Sequence, residues 1–539
     1  MSKTKFIFIS GGVISVIGKG VATASISRLL KSVGFKVTAV KADPYINVDA
    51  GTLNPMEHGE VFVLEDGVET DQDLGHYERC LDEDLNRTNY MTTGQIYQSV
   101  IERERDLLYD GKTVEFIPHI TDEVIKRIKE AAVNHRADIV LIEIGGTVGE
   151  YQNALFLEAN RIMKLKHPQD VLHIHLAYLP LPPSLGELKS KPVQTSVHLL
   201  NSVGIQPDFV LARSVVDIDL KRREKIATFC SLNTEDIISA PDVDVIYKVP
   251  INFEKQNLSK KILKKLNLKP LKRDLFDWEK MVARAQNAKK EVKVGLVGKY
   301  FTTGDYTLED SYISVIEALK HASWKNNLRP KLSWFDSEEI EKNGLADLKN
   351  MDAIVVPGGF GSRGVEGIIR AIKFAREKKI PFLGLCFGLQ LASVEFARNV
   401  CALSDAHTTE IEPKTPNPIV DVMSKQEKVL LHRDYGGTMR LGSWKCKIKK
   451  GTLAFKSYQN ENITERHRHR YEFNNKYRSL LEEAGFIISG TTPDNKLVEI
   501  IELANHPFFL GTQFHPEFKS RPLSPHPLYN LFIKTAFET

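Results

Sequence analysis

The chain has 539 residues, more than one hydrophobic core usually serves, so two or three domains are expected. Its 42% hydrophobic and 26% charged residues exclude a collagenous or disordered chain. A net charge of +4, with Lys and Arg spread through both halves, implies no nucleic-acid partner and leaves anionic small molecules as candidates, since a few local cations suffice to hold a phosphate.

The opening Lys5-Phe-Ile-Phe-Ile-Ser10 has an apolar run too short for a signal-peptide core or a membrane span. Cysteines at 80, 230, 386, 401 and 446 form no Cys-x-x-Cys pair. A reducing, cytoplasmic setting and no membrane contact are expected. Phe6 to Ile9 reads as a buried strand, and Ala22, Ile26, Leu29, Leu30 and Val33 keep one-face helical spacing up to Gly34. Phe35 to Val40 is the next strand, which gives a βαβ unit, and Ile139 to Ile142 adds another buried strand.

Between the first strand and helix lies Gly11-Gly-Val-Ile-Ser15-Val-Ile-Gly18-Lys19-Gly20, where backbone amides and the helix dipole attract phosphate and a lysine can reach its oxygens. It is not a regular P-loop: five residues separate Gly12 from Gly18, and Gly20 stands where Ser or Thr would hold a metal. Taken alone, the loop also reads as a tight turn. Asp71 and Asp73 supply clustered carboxylates, and Glu143 ends a buried strand, where an acid needs a cation or a donor.

Asn267-Leu-Lys-Pro-Leu-Lys-Arg-Asp274 and the polar helical stretch Trp278 to Lys290 read as an interdomain segment before a new strand at Val292. The expected division is 1–267, a linker over 268–290, and 291–539. Ala353 to Val356 and Pro381 to Leu385 are strands running into glycine-bearing turns. The fold class is therefore α/β, with two domains that each carry a mostly parallel sheet flanked by helices.

Gly384-Leu-Cys386-Phe-Gly388 lies between a strand and the helix Leu389 to Arg398, the setting of a nucleophile elbow with cysteine in place of serine. A helix N-terminus there favours a thiolate. His515 and Glu517, two residues apart after the strand Phe509 to Phe514, supply a base and the group that orients it. Pro357-Gly-Gly359-Phe-Gly361 offers backbone donors for an oxyanion. Either Cys386 or His515 alone reads better as a buried structural residue. Together and in this order, the three motifs resemble the class I glutamine amidotransferases.

A longer set of segments resembles the CTP synthases over nearly the whole chain. These are Lys41-Ala-Asp43-Pro-Tyr-Ile-Asn-Val-Asp49, His58-Gly-Glu-Val-Phe-Val63, Asp73-Leu-Gly-His-Tyr-Glu-Arg79, Ile117-Pro-His-Ile-Thr121, Gly186-Glu-Leu-Lys-Ser-Lys-Pro-Val-Gln194, Ser239-Ala-Pro-Asp-Val-Asp244 and Arg466-His-Arg-His-Arg-Tyr-Glu472. The resemblance implies a P-loop-like, dethiobiotin-synthetase-like N-terminal domain joined to a class I glutaminase. It implies amination of UTP to CTP, with ATP phosphorylating the uracil 4-oxygen and ammonia from glutamine displacing the phosphate.

By that resemblance Mg²⁺ is held by Asp73 and Glu143, and ATP by Val16, Ile17, Gly18, Lys19, Gly20, Val21 and Asp73. UTP or CTP falls to Ser15, Glu150, Tyr151, Gln152, Lys189, Ser190, Lys191, Pro192, Val193, Gln194 and Lys225. Glutamine falls to Gly359, Phe387, Gly388, Leu389, Gln390, Glu410 and Arg470, around the catalytic Cys386, His515 and Glu517. GTP activation, CTP inhibition and a homotetramer with nucleotide sites between subunits are implied too, with Arg363 and the segment 299–312 as candidates for GTP.

Three positions depart from the family pattern: Val16 replaces a serine, Ala50 a proline, and Gln152 a carboxylate. Two rival readings remain open, an amidotransferase with another acceptor and a catalytically weak assembly protein. Lys189 to Gln194 speak against the first. Lys19, Asp73, Glu143 and Cys386 speak against the second.

Overall fold

The apolar runs of the first half build a seven-stranded sheet. Its strands are β1 (Lys5–Gly12), β2 (Val37–Asp43), β3 (Tyr90–Thr92), β4 (Ile139–Ile144), β5 (Val171–Tyr178), β6 (Phe209–Ser214) and β7 (Ile237–Pro241), in the order β3-β2-β4-β1-β5-β6-β7. Every pairing is parallel, and both faces carry helices, which is why the strands are apolar throughout and not alternating. The second strand begins at Val37 and not at Phe35, because the chain leaves the helix α1 (Lys19–Ser32) through Gly34 at φ 103° and turns before pairing. Register places Ile9 and Lys41 beside Glu143 at the carboxyl ends of β1, β2 and β4, where open α/β sheets bind ligands.

This is a computed structural model, and it describes residues 4–539 except 185, 273, 300, 301, 304, 305, 308, 346 and 423–436. Of the candidate GTP segment 299–312, positions 300, 301, 304, 305 and 308 therefore lie outside the described residues.

Backbone contacts divide the chain into two compact units, Met1–Asp49 with Asp73–Val282, and Ala50–Gln72 with Ala283–Thr539. The helix Phe276–Asn287 carries the boundary between them, and its Trp278 donates to the Tyr247 carbonyl (2.7 Å) within the first unit.

The second unit is built on a nine-stranded sheet. Its strands are β8 (Lys290–Gly298), β9 (Leu328–Asp336), β10 (Ala353–Val356), β11 (Phe382–Leu385), β12 (Arg440–Ile448), β13 (Asn462–His469), β14 (Phe486–Thr491), β15 (Val498–Leu503) and β16 (Phe509–Thr512). They run β9-β8-β10-β11-β16-β15-β14-β12-β13. The part from β9 to β16 is parallel, and β15, β14, β12 and β13 extend it antiparallel. Apolar side chains on both faces form two cores around this sheet.

Residues 50–72, which in chain order interrupt the first unit, pack within the second. Phe62–Val63 and Glu69–Thr70 form a short antiparallel hairpin, with the Phe62 ring edge-on to Phe518 at 5.0 Å. Arg466 donates to the Val63 carbonyl (3.0 Å) and to Glu65 (3.1 Å), and Arg468 donates to Glu69 (2.8 Å). Glu60 accepts from the Ser314 amide at 3.2 Å. The arginine-rich strand is thus not a solvated basic run; two of its charges hold this segment in place. Among the described residues no helix is long and apolar enough to cross a membrane.

Candidate active sites

Lys19 opens α1, and α2 (Asp73–Leu81) packs beside it, so that Asp73 reaches the glycine-rich loop between β1 and α1. A side chain on Gly20 would put its Cβ 1.9 Å from Asp73 Oδ1. The carboxylate therefore occupies the space that a Ser or Thr would fill in a regular P-loop, which accounts for the glycine. Lys41, from β2, bonds Asp73 and lies 3.1 Å from Glu143 and 3.6 Å from Asp43. Tyr77 donates to the second oxygen of Glu143, and Lys19 donates to the Gly146 carbonyl at 2.6 Å.

Three carboxyl groups thus face two ammonium groups, with Asp43, Glu143 and Lys41 buried and Asp73 and Lys19 partly so. Burial raises Glu143, and Asp73 adds to the effect. Burial also raises Asp43, against Lys41. For Asp73 burial is outweighed by Lys41, which holds it below the ordinary carboxylate range. Burial lowers Lys19 despite Glu143. Asp73 and Glu143 are expected here from the sequence; Lys41, Asp43 and Tyr77 join them, each from one of the segments that resemble the CTP synthases.

Beneath the loop, Ser10 Oγ bonds His173 Nε2 and His175 Nδ1 at 2.8 Å each, and His175 Nε2 bonds Ser196 Oγ at 2.7 Å. Burial lowers His175 to about 3, so this chain is neutral at pH 7. It ties β1 and β5 to α3 (Lys191–Ser202), the helix that carries Lys191, Pro192, Val193 and Gln194. Gln194 is buried and donates to Ser190 at 3.1 Å. Lys189 bonds Glu187, whose carboxyl is lowered first by Lys189 and further by Arg222 and Lys225. Ser15, Val16, Glu150, Tyr151 and Gln152 are exposed, Val16 at 91% and Tyr151 at 99%.

Beside Gly18, Val21 and Ala22 opens a cavity of about 330 Å³, also lined by Arg213, Pro241, Asp242, Val243 and Phe253. Arg213 and Asp242 form an ion pair at its rim. Pro241, Asp242 and Val243 belong to the segment Ser239 to Asp244, whose sequence alone carries no role.

In the second unit, β11 runs into Cys386, which holds φ 50° and ψ −96° before α4 (Phe387–Asn399) begins. A non-glycine residue at positive φ stores strain, and the surrounding structure must impose it. Here the Cys386 amide is fixed on the Thr512 carbonyl at 2.6 Å. Cys386 is 5% exposed and shares a cavity of about 90 Å³ with Gly358, Gly359, Phe360, His515 and Glu517, together with Pro55, Glu60 and Val61 of the 50–72 segment.

The strand before His515 ends at Thr512, short of Phe514, because Pro516 starts a tight turn that brings Glu517 back. His515 Nδ1 and Glu517 Oε1 are 2.7 Å apart, and the imidazole stacks on Phe518 at 5.1 Å. Gly358 leaves room for this ring, since a Cβ there would lie 2.9 Å from His515 Cε1. Burial alone would lower His515, but the Glu517 carboxylate and then Cys386 raise it to about 10. The site therefore favours the imidazolium.

Glu410 accepts from the Gly361 amide at 2.8 Å, and burial raises its carboxyl. Lys299, lowered by burial to about 8, bonds the Phe360 and Gly361 carbonyls and lies 4.4 Å from the Phe387 ring centre. Gln390 donates to the Tyr471 carbonyl at 3.0 Å, and Arg470 to Thr438 at 2.9 Å. Gly388 and Leu389 are buried within α4.

A strained cysteine elbow with a His–Glu pair, on a chain that also carries a charged cluster and glycine-rich loop at the carboxyl edge of a parallel sheet, has the features of a glutamine amidotransferase joined to a synthetase. Comparison with known proteins agrees: the CTP synthase N-terminus pattern matches residues 5–268, and the class I glutamine amidotransferase pattern matches 307–535. A CTP synthase of Halalkalibacterium halodurans is 50% identical over 535 residues, 99% of each chain. One of Carboxydothermus hydrogenoformans is 51% identical over 538 residues, again 99% of each. A solved glutaminase domain of Trypanosoma brucei CTPS with bound acivicin is 35% identical, with a TM-score of 0.42, covering 46% of this chain and 94% of its own. The chain belongs to the CTP synthase family, glutamine-dependent carbon–nitrogen ligases.

Proposed function

We propose that the chain aminates UTP to CTP through a 4-phosphorylated UTP, with ammonia released at Cys386. The observation that carries this reading is the pairing of the His515–Glu517 dyad at a strained cysteine with a Lys19–Lys41–Asp73–Glu143 cluster at a glycine-rich loop. A carbonyl oxygen leaves poorly until phosphorylated, so ATP must act first on the uracil 4-oxygen. Lys19 and the amides from Val16 to Val21 would hold the ATP phosphates, and the cavity reaching Arg213, Asp242 and Phe253 suits the purine base.

Carboxylate oxygens are the donors that Mg²⁺ takes, and Asp73 and Glu143 already converge on a cation, the Lys41 ammonium, so these residues fit the metal. Bound there, Mg²⁺ would offset charge on the transferring phosphoryl group. Lys189, Lys191, Gln194 and Lys225, on and beside α3, suit the pyrimidine nucleotide. Exposed Val16, Tyr151 and Gln152 fit a nucleotide site completed by another copy in a homotetramer. GTP activation, CTP inhibition, the domain limits 1–267 and 291–539 with a linker over 268–290, and a cytoplasmic location belong to the same reading.

In the glutaminase unit the Cys386 thiolate attacks the glutamine carboxamide while His515 supplies the proton that lets ammonia leave. Backbone amides of Gly359 and Phe387 would suit the oxyanion, and His515 then takes a proton from the water that frees glutamate. Gly388, Leu389 and Gln390 shape the pocket. Glu410 and Arg470 suit the ammonium and carboxylate of the amino acid end. Purified protein given UTP, ATP, Mg²⁺ and glutamine should form CTP, ADP, phosphate and glutamate in equal amounts, read by chromatography. ATP hydrolysis without CTP would overturn the UTP assignment.

A further inference from the structure

Behind the nucleophile stands a buried amide that none of the roles above uses. Gln513 is fully buried, and its backbone amide donates to the Glu499 carbonyl at 2.8 Å. Its side-chain Nε2 points at Cys386 Sγ from 3.6 Å. The orientation of the amide follows from its other end, since Oε1 accepts from Gln390 Nε2 at 3.5 Å, and an amide turned the other way would face donor to donor. A buried amide is costly unless bonded, and the sulfur is the only acceptor that the described contacts give to Nε2.

We infer that Gln513 is a catalytic residue of the glutaminase, an N–H donor that stabilises the Cys386 thiolate. The inference rests on Cys386 being the nucleophile. The bond is strongest to an anionic sulfur and weak to the thioester sulfur of the acyl-enzyme. Gln513 therefore acts at two moments. It stabilises the sulfur anion that attacks the carboxamide. It also stabilises the sulfur as water adds to the acyl carbonyl, the C–S bond breaks, and the bonding electron pair returns to sulfur. Gln390 then has a second task, fixing which face of the Gln513 amide meets the nucleophile.

The test is the pH profile of Cys386 alkylation by a glutamine-like chloroketone and of kcat/KM for glutamine hydrolysis, in the full chain and in Gln513→Met. Methionine keeps the volume and removes the donor. The acidic limb of both profiles should move up by about one pH unit, from the strength of a hydrogen bond to a charged acceptor, with ammonium-driven CTP formation unchanged. If the Met variant does not fold, Gln513→Glu, nearly identical in shape, should move the limb at least as far. A uniform rate loss with no shift, or profiles matching the parent, would overturn the inference. Failure of the nucleophile reading shows separately, as glutamine hydrolysis surviving in Cys386→Ala.

Discussion

The two reacting centres are built on opposite plans. At the phosphate end, charges from β2, β4, α1 and α2 are balanced against one another, and Lys41 stands among Asp43, Asp73 and Glu143, beside a loop in which Val13 and Val16 hold φ 82° and 55°. At the thiol end, few charges are involved, and geometry is imposed on the backbone: Cys386 at φ 50°, its amide pinned on Thr512, and His515 locked between Glu517 and Phe518. A site that handles polyanionic substrates needs a reserve of positive charge that shifts as they bind. A site that makes and breaks one bond to carbon needs a fixed nucleophile. The first should therefore fail through lost charge and the second through lost orientation.

The sharpest break in that comparison is Glu517→Gln, which leaves shape intact and removes only the partner of His515. Glutamine hydrolysis should fall by about 10³-fold or more, while ammonium-driven CTP formation stays at the parent rate. The same variant tests the His515 titration. His515 is raised from its ordinary 6.5 to about 10, so its contribution to stability is complete below the unfolded value and is lost as pH rises through about 10. The urea midpoint of the glutaminase unit should fall between pH 7 and 10, and Glu517→Gln should flatten the fall.

Lys19→Ala should lower CTP formation from either nitrogen source by about 10²–10³-fold. Cys386 should still be alkylated at the parent rate, because the charge site does not set the thiol's geometry.

Arg468→Ala leaves Glu69 buried without the guanidinium that bonds its Oε1, and Oε2 has no hydrogen-bond partner among the described residues. The second unit should lose about 3 kcal/mol of stability by urea unfolding. The smallest effect is expected from Val16→Ser, which restores the family's hydroxyl at a position 91% exposed and should change kcat/KM by less than about twofold.

The two plans also decide what could be read in the sequence. The thiol site is legible because strain leaves local marks: glycines beside Cys386, and His and Glu two residues apart around a proline. The βαβ unit at β1, α1 and β2 is legible from apolar periodicity alone. Lys41 gave no such signal, since a lysine in a strand acquires meaning only from the acids that the sheet register sets beside it.

The segment 50–72 escaped for a related reason. Its attachment depends on Arg466 and Arg468, some four hundred residues away. The antiparallel extension of the second sheet is not legible in the sequence either, because β12 to β15 take their direction from their neighbours. Gln513 sits beside a recognised motif, yet an amide next to His-Pro-Glu has no local signature until the elbow brings the sulfur to it.

The central claim is that Cys386 supplies nitrogen to a separate synthetase reaction, and one assay tests it directly: CTP formation from UTP and ATP by Cys386→Ala, with glutamine or with ammonium. The glutamine-driven reaction should be lost, while the ammonium-driven reaction keeps the parent rate. CTP formed from glutamine by the variant, or no CTP from either nitrogen source in the parent, would contradict it.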